Sequence, residues 1–117
     1  MSHCTIYHNP RCSKSRATLA LLEQRGVEPE VVLYLDNPPD TRQLRVLLDK
    51  LGISASQLVR RGEDAWKASG LGVDAPESAI IAVMVAHPKV IERPIVVCGE
   101  RAVLGRPPEN VLALLDQ

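Results

Sequence analysis

The chain's most nucleophilic side chains are its three cysteines, Cys4, Cys12 and Cys98, and their settings differ. Cys12 lies in Asn9-Pro10-Arg11-Cys12-Ser13-Lys14-Ser15-Arg16, after the β-branched and aromatic run Thr5-Ile6-Tyr7-His8 and before a stretch without Pro or Gly that lasts to Arg25. Asn9-Pro10 is a turn signal and the following stretch is helical in character, so Cys12 sits at the switch from strand to helix. Free backbone N–H groups and the positive end of the helix dipole stabilise an anion at such a point. A thiolate is such an anion, and cysteines of low pKa are found at helix N-termini beside basic residues. His8, Arg11, Lys14 and Arg16 flank the sulfur in sequence, while Ser13 and Ser15 offer hydroxyls that could hydrogen-bond it. Position alone leaves two readings, a reactive thiolate and an ordinary half-buried thiol.

Two familiar thiol chemistries do not fit. Cys12-Ser13-Lys14-Ser15 is C-x-x-S, so no second cysteine waits one helical turn away to close a redox disulfide. Phosphatase-type loops carry an arginine six residues after the nucleophilic cysteine, and here that residue is Thr18. Anion-binding arginines must therefore come from elsewhere. Arg60 after a helix, Arg93 before a strand and Arg106 before the last helix stand at element ends, though each alone could equally be a solvated surface charge. His3, His8 and His87 show no metal-ligand spacing with the cysteines, so no metal is expected.

The elements that must position these groups follow from periodicity. Leu19 and Leu22 give the helix after Cys12 an apolar face, and Arg25-Gly26 ends it. Val31 to Tyr34 reads as a second strand, which makes β-α-β with parallel pairing and a right-handed crossover. Leu44, Leu47, Leu48 and Leu51 form a helical stripe capped by Asp40 or Thr41 and stopped by Gly52. Ser54 and Gln57 fit a capping box for a short helix to about Arg60, and Glu63 to Ala68 suits another. Asp74-Ala75-Pro76-Glu77 starts a helix, with Asp74 as cap, that ends before Pro88. Ile95 to Cys98, Gly99-Glu100 and Arg101 to Leu104 form a hairpin, followed by a last helix through Val111, Leu112 and Leu115. The expected fold is α/β: one mixed four-stranded sheet with helices on both faces, in a single domain over 1–117 with a helical insert at about 40–87.

Composition narrows the class. At 117 residues, 45% of them hydrophobic, the chain suffices for one core. The core must be aliphatic, because aromatic residues are 3% and Phe is absent. Lys+Arg and Asp+Glu are equal at 14 each, which removes a global pull toward nucleic acid or acidic membranes and makes any anion site local. No apolar run approaches the ~20 residues that cross a bilayer, and no charged-then-apolar leader is evident. An odd cysteine count with no C-x-x-C pair points to a reduced, cytoplasmic protein.

The motifs then combine. Tyr7-His-Asn-Pro-Arg-Cys-Ser-Lys-Ser-Arg16 resembles the active-site segment of the glutaredoxin-coupled arsenate reductase family. Val32-Leu-Tyr-Leu-Asp-Asn-Pro-Pro39, Leu58-Val-Arg60, His87-Pro88 with Glu92-Arg-Pro-Ile-Val-Val97, and Gly105-Arg-Pro-Pro108 match its further segments in order. The resemblance covers essentially the whole chain and is especially close to short housekeeping members. It implies a thioredoxin-like fold, Cys12 as nucleophile, Arg60, Arg93 and Arg106 as oxyanion-binding residues, and His8 and Ser15 as groups favouring the thiolate. It also implies a cis Arg93–Pro94 bond opposite the active cysteine. The implied reaction is reduction of arsenate to arsenite through a covalent Cys12 thiol–arsenic adduct. Glutathione serves as co-substrate, glutaredoxin resolves the mixed disulfide, and no cofactor is bound. Two alternatives share the fold: a glutathione-dependent reductase of another small substrate, and a regulator that binds RNA polymerase. The regulators of this kind carry C-x-x-C, so Ser15 counts against that form. Cys4 and Cys98 are expected to be structural, at the sheet end away from Cys12.

Overall fold

Alternation of period two in Cys4-Thr5-Ile6-Tyr7-His8 buries Cys4, Ile6 and His8 and leaves Thr5 and Tyr7 partly exposed, the signature of a strand with one face on a core. This strand, β1 (Cys4–His8), lies inside a four-stranded sheet of order β2-β1-β3-β4. The structure is a computed structural model that describes residues 3–115. Strand β2 (Glu30–Leu33) pairs parallel to β1, as the intervening helix α1 (Ser13–Gln24) requires, and β3 (Ile95–Cys98) pairs antiparallel to β1 on its other side. Strand β4 (Arg101–Leu104) returns as a hairpin on β3. The mixed four-stranded sheet of the expected α/β, thioredoxin-like class is present.

The inward residues of β1 and β3 set the core. Ile6 and Val96 are register partners and fully buried, and Leu22 from α1 with Val111 and Leu114 from the C-terminal segment close over them. That segment begins as a 3-10 turn at Pro108–Val111 and continues as α6 (Leu112–Leu115). Helix α1 presents an inward stripe of Ser15, Thr18 and Leu22, so its N-terminal half faces the sheet with polar groups. Gly26, at φ +78, ends it in the left-handed conformation that glycine adopts without steric cost.

The chain divides into two compact units, one of residues 1–37 with 93–117, the other of residues 38–92. The second unit is helical. Within it, α2 (Thr41–Leu51) starts on a complete Asp40–Gln43 capping box, and Leu44, Leu47 and Leu48 are buried. Helix α3 (Ala55–Leu58) starts on the anticipated Ser54–Gln57 box. Helix α4 (Asp64–Ser69) follows, and α5 (Glu77–Ala86) buries Ile80, Ile81 and Met84. Pro76, not Asp74, occupies the cap of α5, because residues 72–75 close their own turn through an Ala75 N–H bond to the Gly72 carbonyl at 3.1 Å. No helix among the described residues is long and apolar enough to cross a membrane.

One expectation is corrected outright. Cys4 and Cys98 are directly opposed in the β1–β3 register with Cα atoms 4.2 Å apart, and they form a disulfide. An antiparallel ladder brings directly opposed Cα atoms to about 4.5 Å at its narrow pairs, so backbone pairing alone places the two sulfurs together. Only Cys12 remains a free thiol. Arg93–Pro94 is cis, as the resemblance implied, and so is Arg106–Pro107, which the sequence reading did not anticipate.

Candidate active site

Cys12 is the N-cap of α1, in extended conformation, with its own N–H bonded to the Asn9 carbonyl at 3.0 Å and its carbonyl accepting from Arg16 N–H at 3.0 Å. The turn at Asn9–Pro10 is drawn tight by Arg11 N–H donating to Asn9 Oδ1 at 3.0 Å. The next backbone N–H groups, those of Ser15 and Lys14, favour the thiolate form of the half-buried Cys12 sulfur without closing a cap hydrogen bond to it. Unsatisfied donors of a first helical turn therefore serve a sulfur rather than an oxygen.

The arginines arrive from the sheet. Arg93 immediately precedes Pro94 and β3, and its side chain hydrogen-bonds the sulfur. Arg106 follows β4 by two residues. Its Nη1 lies 3.9 Å from Cys12 Sγ and donates to the Arg93 carbonyl at 3.1 Å. Burial pushes the Cys12 thiol pKa up. The Ser15 N–H, the Arg93 hydrogen bond, the Lys14 N–H and the Arg93 charge together outweigh burial and bring it below the ordinary thiol value.

His8 and Ser15 lie beneath this arrangement. Period two in β1 turns His8 to the core face, and the inward stripe of α1 turns Ser15 to meet it. His8 Nδ1 and Ser15 Oγ are 2.6 Å apart, and Asn9 N–H donates to the same oxygen at 3.0 Å. Ser15 O–H donating to Nδ1 while accepting from Asn9 satisfies all three buried groups. Burial, aided by the charge of Arg16, holds the His8 pKa below its usual value, so the ring is neutral near pH 7. The Ser15 hydroxyl thus braces the turn against His8, while the Ser15 backbone N–H faces the sulfur.

Cys12, Arg93 and Arg106 are brought together in one unit, with His8 and Ser15 as their support. Arg60 belongs to the helical unit. There its backbone N–H bonds the Val90 carbonyl at 2.7 Å and its guanidinium pairs with Glu92 at 3.4 Å and Glu63 at 3.7 Å. Thr18, passed over in sequence except as the residue that is not arginine, proves fully buried against Gly105. Its signal was available: Ser15, Thr18 and Leu22 share one helical stripe, and two polar residues there need buried partners.

Residues 7–114 match the ArsC family. The chain belongs to that family. Among curated relatives, the arsenate reductase of Neisseria meningitidis serogroup B is 47% identical over 119 residues, covering 98% of this chain and all of its own length. The Escherichia coli K12 protein YfgD is 55% identical over 112 residues, 94% of each chain. Among solved structures, the arsenate reductase from Vibrio cholerae superposes with a TM-score of 0.92 at 46% identity, covering 96% of this chain and 97% of its own. The family match over residues 7–114 spans the Cys12 turn and the segments bearing Arg60, Arg93 and Arg106.

Proposed function

We propose that the protein is an arsenate reductase that uses Cys12 as its nucleophile and glutathione with glutaredoxin as its reductants. The observation that carries the reading is the Cys12 sulfur, held toward its thiolate by two helix N–H groups and the Arg93 guanidinium, with Arg106 3.9 Å away. A thiolate and a divalent oxyanion repel each other, and guanidinium forks beside the sulfur offset that repulsion through paired, charge-assisted hydrogen bonds. Membership of the ArsC family and the names of its relatives supply the substrate.

In the proposed sequence the Cys12 thiolate attacks arsenic, forming an S–As bond as one arsenate oxygen leaves as water after protonation. A glutathione thiol then attacks the Cys12 sulfur. The S–As bond breaks with its electron pair remaining on arsenic, which is thereby reduced from the pentavalent to the trivalent state and leaves as arsenite. The two sulfurs supply the two electrons and become a Cys12–glutathione disulfide. Glutaredoxin and a second glutathione return Cys12 to the thiol, with oxidised glutathione as product. Arg93 and Arg106 bind the oxyanion, and Arg60 is the third member of that set by family resemblance. Neutral His8 and Ser15 hold the turn that presents Cys12. The C-x-x-S sequence agrees with an external reductant, since Ser15 cannot resolve a disulfide. Purified protein incubated with arsenate, glutathione and glutaredoxin should produce arsenite, and absence of arsenite above the glutathione-only rate would reject the assignment.

A further inference from the structure

The last turn of the β3–β4 ladder has a gap that the sequence itself creates. Beyond the Ile95–Leu104 pair, Gly105 N–H donates to the Pro94 carbonyl at 2.9 Å. An antiparallel pair of this kind exchanges two such bonds, but Pro94 has no N–H to return to the Gly105 carbonyl. A buried carbonyl left without a donor is costly, and such groups are nearly always satisfied. The Thr18 hydroxyl fills the place. It lies 2.8 Å from the Lys14 carbonyl of its own helix and 3.3 Å from the Gly105 carbonyl, sharing its proton between the two. Among the described residues no other donor reaches the Gly105 carbonyl.

The fit is close on all sides. A Cβ on Gly105 would stand 2.5 Å from Thr18 Oγ1 and 2.8 Å from Pro94 Cγ, so only glycine lets the strand end approach α1 without displacement. The residue next to Gly105 is Arg106, whose Nη1 spans from the Arg93 carbonyl to the Cys12 sulfur. We propose that Thr18 is a positioning residue: its hydroxyl completes the ladder that Pro94 interrupts, ties the end of β4 to α1, and thereby sets the Arg106 guanidinium beside Cys12. The position where a phosphatase-type loop carries its own arginine is used here to hold an arginine from another strand. The proposal rests on the assignment of Arg106 to the anion site.

The test reads the local charge at the sulfur without arsenate. In the disulfide-bonded protein Cys12 is the free thiol, and the ratio of its alkylation rates by iodoacetate and by iodoacetamide reports nearby cations, because the thiolate fraction cancels. Thr18→Val keeps the side-chain shape and removes the donor, and should lower that ratio about three- to fivefold, the worth of one displaced charge near water. Thr18→Ser restores the hydroxyl and should restore the ratio. In an Arg106→Gln background, Thr18→Val should cause no further drop, which a merely structural role would not predict. A wild-type ratio in Thr18→Val, a Thr18→Ser protein that behaves like the valine variant, or an equal drop with and without Arg106 each overturns the proposal. If Thr18→Val does not fold, Gly105→Ala perturbs the same contact from the other side and must lower the ratio for the proposal to stand. A wild-type protein that makes no arsenite but shows the expected ratios would reject the arsenate reading alone.

Discussion

The two ends of β1 hold the same functional group in opposite chemical states. At one end Cys4 faces Cys98 across the ladder, each 7% exposed, and the pair is closed as a disulfide. At the other, about 13 Å along the strand by its rise per residue, the Cys12 sulfur is free and half-buried among N–H donors and guanidinium groups. Strand register decides the first end, because it supplies a second sulfur and aliphatic neighbours. Helix geometry decides the second, because a first turn supplies donors that no other backbone group uses. The first turn of α1 also lacks any acid, whereas α4 and α5 begin with Asp64 and Glu77. Acids are favoured at a helix start, and their absence from this one leaves its positive end to the sulfur.

The largest effect should therefore come from breaking the Cys12 end. Cys12→Ser should lower arsenate reduction by at least about 10³-fold, the loss typical of removing a covalent nucleophile, while thermal unfolding changes little. Ultraviolet thiolate titration should place the Cys12 midpoint below the ~8.5 of a free thiol. Cys4→Ala/Cys98→Ala protein gives the same signal without the disulfide, and a midpoint at or above the free-thiol value would remove the electrostatic account. Turnover should fall on the acid side as pH drops through that midpoint and the thiolate is lost.

Next in size are the guanidinium groups. Arg93→Lys and Arg106→Lys retain charge but lose the planar fork, and each should slow arsenite production about 10–100-fold. Neither side chain belongs to the aliphatic core, so both variants should unfold at close to the wild-type denaturant midpoint. Arg60→Lys should act in the same direction if Arg60 shares the oxyanion. Wild-type turnover in that variant would confine its role to the ion pairs with Glu63 and Glu92.

How far the sequence carried this comparison differs between the two ends. The Cys12 end was legible, because a β-branched run, an Asn-Pro turn and a Pro- and Gly-free helix are local signals, and the structure places Cys12 at that helix start. That Arg60, Arg93 and Arg106 belong to one site came from the family resemblance, because hairpin spacing pairs β3 with β4 but leaves the pairing of β3 with β1 open. The Cys4–Cys98 bond was not legible, since an odd cysteine count argued for reduced thiols and the register of two strands 94 residues apart in sequence leaves no local trace. The cap of α5 moved from Asp74 to Pro76 because two turn-forming arrangements compete over residues 72–77, and hydrogen bonding chose between them. Ser15 was named for its hydroxyl, whereas its N–H faces the sulfur. Side-chain direction on a helix depends on which face the sheet covers, and that is decided by packing.

The quieter end of β1 should show itself in stability rather than turnover. A bond between residues 94 apart in sequence restricts the unfolded chain strongly, and loss of such a disulfide typically costs about 2–5 kcal/mol. Cys4→Ala, Cys98→Ala or reduction of the wild-type bond should lower the denaturant midpoint accordingly and leave arsenite production within about twofold, because neither sulfur touches the site. Turnover lost to the extent seen in Cys12→Ser would mean that one of these sulfurs resolves the Cys12 adduct, and the reductant scheme would have to be rewritten.

The smallest effect concerns His8, which joins the two ends by belonging to the inward row of Cys4 and Ile6 while bracing the Cys12 turn. Its pKa is lowered in the folded protein, first by burial and then by Arg16. Below about pH 6.5, the ordinary histidine value, the unfolded chain binds a proton there that the folded one refuses. Stability should therefore fall as pH drops from about 6.5 through the lower folded value, with a slope of at most about 1.4 kcal/mol per pH unit from this one group. His8→Gln removes the titration but leaves a polar side chain for Ser15. It should lower stability at neutral pH by about 1 kcal/mol through the altered hydrogen bond, and it should flatten the stability profile between about pH 7 and 5. Urea unfolding at a series of pH values measures both effects. An unchanged slope in His8→Gln would show that the ring protonates as readily folded as unfolded. A charged His8 would then be available to the Cys12 thiolate, and the neutral brace inferred from its 2.6 Å contact with Ser15 would give way to direct electrostatic support.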